Sequence, residues 1–264
     1  MTVLQAALLG LFQGVAEFLP ISSSGHLLIM KELMGLEEVP ALFDVVLHVA
    51  TLFSILVVFR ARIAGIVRSM ARWVARRSDG SDAENLAVVP PALVATALTA
   101  VIGLAIQKAG FDFDARFASG MLLVTAAALL LSSRLVGGAS FDRLRPWHGV
   151  LTGVAQGIGT LPGVSRSGFT ISAGLATGMS REAAGEFSFL LAIPAIAGAL
   201  VLELKDFGEL AGTVPTAALA VGSIAAFVAG VAALLLLLPL VRKGRIAWFA
   251  AYLIPAGILG LILL

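Results

Sequence analysis

The sequence predicts an all-α polytopic membrane protein: an inverted-topology repeat of six transmembrane helices and two re-entrant helical hairpins. Three observations lead there. Of 264 residues, 59% are hydrophobic and 13% charged, roughly half the charged share of a soluble domain, and mean hydropathy is +1.02. Six segments are apolar over enough length to cross a bilayer core, at about 41–59, 86–107, 116–133, 184–202, 214–240 and 247–263. Two others, 3–34 and 148–178, are broken midway by Pro, Gly and Ser, which suits a hairpin that enters and leaves on one face.

The basic residues set the orientation. Arg60, Arg62, Arg68, Arg72, Arg76 and Arg77 lie in 60–84, and Arg134, Arg143 and Arg145 in 134–147. Arg181 sits in a short link, and Arg242, Lys243 and Arg245 in 241–246. The opposite loops hold only Lys31, Lys108, Arg116 and Lys205. Thirteen against four is a positive-inside bias that puts the arginine-rich loops in the cytoplasm. It holds only if both broken segments are re-entrant, the first dipping from outside and the second from the cytoplasm.

The hairpins resemble each other. At an offset of 143, Gly10, Gln13, Gly14, Ser22, Ser24 and Gly25 fall on Gly153, Gln156, Gly157, Ser165, Ser167 and Gly168. Each hairpin precedes three spans, so 1–264 reads as one membrane domain with repeats over about 1–135 and 147–264. Opposed repeats of this kind place broken helices together near the bilayer midplane.

Composition also excludes. The net charge of +2 is scattered over short loops, so no nucleic acid is expected as a partner; the bilayer is. Cysteine is absent, which removes disulfide and thiol chemistry. MTVLQAALLG lacks the basic start and cleavage site of a signal peptide and is expected in the mature protein.

Against that background EFLPISSSGH (17–26) stands out. An unpaired Glu17 inside an apolar hairpin costs several kcal/mol, and Arg166, in PGVSRSGFT (162–170), is the charge in the matching hairpin. Two readings are open. One is a structural ion pair that closes the repeat interface. The other is a phosphate site: a guanidinium, the hydroxyls of Ser22, Ser23, Ser24, Ser165, Ser167 and Thr170, and backbone N–H groups freed by Gly163 and Gly168. A helix starting near 168 adds its N-terminal dipole. Gln13 and Glu17 are four apart and share a helix face, offering oxygen ligands to a hard divalent cation. Ser23 is a candidate nucleophile and His26 its acid/base partner. His48 belongs to a span, His148 to a membrane edge, and Asp44 and Glu186 to span starts where snorkelling to water accounts for them. The run Arg68, Arg72, Arg76, Arg77 reads as amphipathic and suited to anionic headgroups.

QGVAEFLPISSSGH (13–26) together with PGVSRSGFT resembles the undecaprenyl-diphosphate phosphatases, the bacitracin-resistance family, and FDVVLHVATLFSILVVF (43–59) and SREAAGEFSFLLAIPAIAGA (180–199) extend the likeness over most of the chain. The resemblance implies hydrolysis of a polyprenyl diphosphate lipid to its monophosphate at the outer face of the bacterial plasma membrane, with Mg²⁺ or Ca²⁺. It marks Glu17, Ser23, His26, Ser165, Arg166 and Thr170 as functional, with Gln13 where the family carries Glu or Gln. Bacitracin would act on the same lipid, and a homodimer stays open. The rival reading is a polyprenyl-phosphate flippase or small-anion transporter, since inverted repeats are a transporter architecture. Transport alone does not require the serine, histidine and glutamate set.

Overall fold

The computed structural model describes residues 1–36, 39, 41–203 and 214–264; Lys205 and Gly208 lie outside the described residues. The described residues form helices and no strand. Helices α1 (Val3–Phe18) and α2 (Ser23–Leu33) make the first hairpin, and α8 (Pro146–Ile158) and α9 (Arg166–Ala176) the second. Between them lie α3 (Ala41–Val58), α4 (Arg60–Val74), the short α5 (Ala83–Ala87), α6 (Val89–Ala109) and α7 (Ala115–Ser132). After them come α10 (Arg181–Glu203), α11 (Thr216–Arg242) and α12 (Ala250–Leu263).

Five of the described segments are long and apolar enough to cross a membrane, and α3 with α4 makes a sixth candidate, bent by 79°. The chain is a multi-pass membrane protein. The caps are local chemistry. Thr2 and Gln5 form a capping box at α1, and α1 ends at Leu19, which the following Pro20 disfavours as helix. Prolines open α6, and Gly110 in the left-handed region closes it.

One side-chain cap recurs in both hairpins at the offset of 143. Ser22 Oγ accepts the Gly25 N–H at 3.3 Å, and Ser165 Oγ accepts the Gly168 N–H at 3.1 Å. Helix α1 packs along α11, while α8 packs along α6. Both pairs close on glycine: a Cβ on Gly10 would lie 2.0 Å from the Gly222 carbonyl oxygen, and one on Gly153 2.6 Å from Ala95 Cα. Small residues allow that approach where lipid supplies no hydrophobic drive between helices.

Several expectations need correction. The 60–84 stretch is not simply a loop, because Ile63, Val67, Met70 and Val74 recur at helical spacing and form a stripe on α4; Val67 and Val74 are 59% and 73% exposed. Arg72 does not reach out to lipid: it pairs with Asp82 and lies 3.6 Å from Asp79. Neither acidic residue at a span start snorkels alone. Lys31 Nζ donates to Asp44 at 2.7 Å, and Arg62 Nε lies 2.8 Å from Glu186. His148 is buried and accepts the Arg145 N–H at 2.9 Å, so it caps the start of α8.

Candidate active site

The hairpin tips meet. A Cβ on Gly25 would lie 2.6 Å from the Gly163 backbone, and Ser167 Oγ donates to the Phe18 carbonyl at 3.1 Å. Gly163 takes φ +86, a conformation that favours glycine, and its carbonyl accepts from Thr125 at 3.1 Å. Ser22, at the other tip, has φ 71 without being glycine. Such backbone gathers at functional sites.

Glu17 is the hub. Its side chain is 3% exposed, and Arg166 pairs with Oε1. On Oε2 converge the Ser23 hydroxyl, donating at 2.7 Å, the Gln13 amide, donating at 3.0 Å, and His48 Nε2 at 3.3 Å. The expected ion pair between the hairpins is therefore present, and it sits against the expected serine.

The partner expected for Ser23 is displaced. His26 Nδ1 lies 2.8 Å from the Ser22 carbonyl, which only accepts, so Nδ1 carries a proton; the Tyr252 hydroxyl meets Nε2 at 2.8 Å. The ring stacks against Phe12 and Tyr252. Every polar atom of His26 is thereby occupied away from Ser23, and the group that accepts the Ser23 proton is Glu17.

The second hairpin divides. Arg166 and Ser165 line a cavity of about 250 Å³ with Glu17, Ser22, Ser23, Ser24 and His48. Gly163, Ser167, Gly168 and Thr170 stand behind it. The Thr170 hydroxyl donates to the Arg166 carbonyl at 2.8 Å and pairs with Ser188. The N–H groups expected to hold phosphate are partly taken: Ser165 N donates to Thr125 at 3.0 Å, and Gly168 N to Ser165 Oγ. These residues set the pose of Arg166, whose Nη1 is buried and has no partner among the described residues.

His48, Tyr252, Thr125 and Ser188 were not singled out as site residues by sequence. His48 had one available signal: an imidazole four residues after Asp44, within a helix otherwise apolar.

Residues 6–259 match the family described as bacitracin resistance protein BacA. The chain belongs to that family. It is 45% identical over 258 residues to the undecaprenyl-diphosphatase of Treponema denticola, covering 98% of this chain and 96% of that one. It is 40% identical to the undecaprenyl-diphosphatase of Desulfosudis oleivorans (96% and 95% covered) and 41% identical to that of Desulfatibacillum aliphaticivorans (94% of each).

The residues that this BacA-family chain places around Glu17 fit a divalent cation shared with substrate. Gln13 Oε1 is buried with no partner among the described residues, and it shares its amide carbon with the nitrogen that touches Glu17. His48 Nδ1 lies 2.7 Å from the Asp44 carbonyl, which only accepts, so Nδ1 carries a proton. Its Nε2 faces a carboxylate oxygen of Glu17 at 3.3 Å, so a proton on Nε2 or a cation has to lie between the two. One carboxylate and one amide oxygen suffice where substrate phosphates and water complete the shell. Among the described residues no group of three or more acidic or imidazole side chains is built to hold an ion unaided.

His48→Ala is therefore expected to lower kcat about tenfold to a hundredfold, the usual cost of removing a group that orients a ligating or reacting carboxylate. Steady-state kinetics in detergent check it. Unchanged turnover would make the His48 contact incidental.

Proposed function

We infer that this chain is an undecaprenyl-diphosphatase: it hydrolyses undecaprenyl diphosphate to undecaprenyl phosphate and inorganic phosphate, recycling a lipid carrier for envelope polymers. The observation that carries the chemistry is Arg166, which lines the cavity with one buried nitrogen unpartnered among the described residues beside a serine whose proton already points at a carboxylate.

The guanidinium fork holds the terminal phosphate and stabilises charge as it transfers. Ser23 Oγ attacks that phosphorus and its proton passes to Glu17. The bond from phosphorus to the bridging oxygen breaks, undecaprenyl phosphate leaves, and water then frees phosphate from Ser23. Direct attack by water held at the same place is the alternative. Without substrate, Arg166 holds Glu17 in an ion pair. A diphosphate that recruits Arg166 releases that hold, so binding prepares the base. A Mg²⁺ or Ca²⁺ ion held by Glu17 and Gln13 would polarise the phosphoryl oxygens when bound.

We place the enzyme in the bacterial plasma membrane with its cavity open to the outer side, where bacitracin would meet the same lipid. The arginine bias supports this, and the matched caps of the two hairpins support an inverted repeat. Helix α1, at 16 residues, spans only about 24 Å, short of the roughly 30 Å hydrocarbon core, which supports re-entrance. A transporter reading is not favoured, since the family relatives are named for hydrolysis.

Purified protein in detergent should release phosphate from a polyprenyl diphosphate, with loss on chelation and recovery on adding Mg²⁺ or Ca²⁺. No phosphate release under any divalent cation would reject the reading. A single cysteine at Ser78 should label only from the cytoplasm; labelling by an impermeant reagent from outside would reverse the orientation.

A further inference from the structure

Freed phosphate is a small multiply charged anion lodged among apolar helices, and it needs a polar way out. The catalytic cavity adjoins a second, more open one of about 680 Å³. Ser24 and His48 line both, so the two cavities meet at those side chains. Helix α2 contributes Ser24, Leu28 and Lys31 to one wall, at one-turn spacing, and α3 contributes His48 and Asp44 to the other.

Lys31 is the lysine among the described residues lining this second cavity, beside the carboxylates of Asp44 and Glu32. Its side chain is 11% exposed and 2.7 Å from Asp44 Oδ2. Asp44 Oδ1 is buried with no partner among the described residues. The pair is therefore half satisfied: a largely buried ammonium with one carboxylate contact, in the cavity next to the one that Arg166 lines. The Asp44 side chain is 30% exposed, and a partly exposed pair gains little net stability from its Coulomb attraction, so a phosphate, with more charge and more oxygens, competes well for the lysine.

We propose that Lys31 and Asp44 form a second phosphate subsite on the product's exit route, resting on the phosphatase reading above. Lys31 exchanges Asp44 for the departing phosphate, and the carboxylate then competes the anion off. That balance suits conduction, where a site must attract its ion without trapping it. The same chemistry would also greet the phosphates of an arriving lipid headgroup, and the two sources are separable.

The experiment is product inhibition. Full-length protein in detergent hydrolyses a short-chain prenyl diphosphate, with the prenyl monophosphate followed by chromatography because added phosphate masks released phosphate. Lys31→Gln is expected to raise the Ki of inorganic phosphate roughly fivefold, the scale of one partly screened charge contact. Asp44→Asn, nearly isosteric, is expected to lower that Ki, since it frees the lysine. Opposite signs cannot come from misfolding. A Ki unchanged in both variants overturns the proposal. So does a Lys31→Gln protein whose KM for the prenyl diphosphate rises while the Ki of phosphate stays fixed, because Lys31 then serves the incoming headgroup. Wild-type protein that releases no phosphate fails the phosphatase reading itself, before either variant is compared.

Discussion

Arg166→Ala is expected to lower kcat/KM at least roughly a hundredfold, because one donor to a developing anion is typically worth about 3 kcal/mol or more. The structure adds a second consequence. Glu17 is 3% exposed and has Arg166 as its cationic partner on Oε1. Removing one member of a buried pair strands the other, at a typical cost of about 3–5 kcal/mol. The alanine protein should thus be both less active and less stable, and its thermal unfolding has to be measured beside its turnover. Arg166→Lys separates the effects. Lysine keeps a charge for Glu17 and restores most of the stability, yet it lacks the planar fork that grips two phosphate oxygens. It should fold well and remain far below wild type. A lysine variant within about threefold of wild type, against the tenfold or more that bidentate loss implies, would show that Arg166 acts as a point charge.

The sequence exposed the hairpins because polarity inside an apolar chain is costly and therefore conspicuous. Glu17, Arg166 and the serines beside them are that kind of signal, and the structure brings them together. The matched positions Ser22 and Ser165 make the same side-chain bond at a helix N-terminus, with different backbone conformations, φ 71 and φ -77. His48 was harder to place. One imidazole in an 18-residue apolar helix reveals neither which neighbour it faces nor whether that face is buried. His26 misled through proximity: three residues from Ser23, it is the natural partner by spacing, but α2 turns it toward Tyr252, 226 positions away. No local pattern encodes that contact. The α4 helix is legible in its apolar stripe at helical spacing, although the same 60–84 stretch carries six arginines, the pattern of a cytoplasmic loop. Lys31 and Asp44 belong to different helices, and only the fold shows that they meet.

Glu17→Gln tests the centre of the site with little disturbance of its shape. The amide keeps the size of the side chain, and its oxygen still accepts from Arg166. What disappears is the charge, and with it the acceptor for the Ser23 proton and the anionic ligand for a cation. Turnover is expected to fall by about a thousandfold, within the range for loss of a general base. Binding should move the other way. Arg166 no longer spends itself on a carboxylate, so inorganic phosphate or a non-hydrolysable diphosphate should bind at least as tightly as to wild type, measured in the presence of divalent cation. A merely structural Glu17 predicts a different pattern: the neutral variant would lose stability and ligand binding together, with whatever folds still turning over. Normal turnover with normal cation dependence in Glu17→Gln would remove Glu17 from both roles and leave Ser23 without a base.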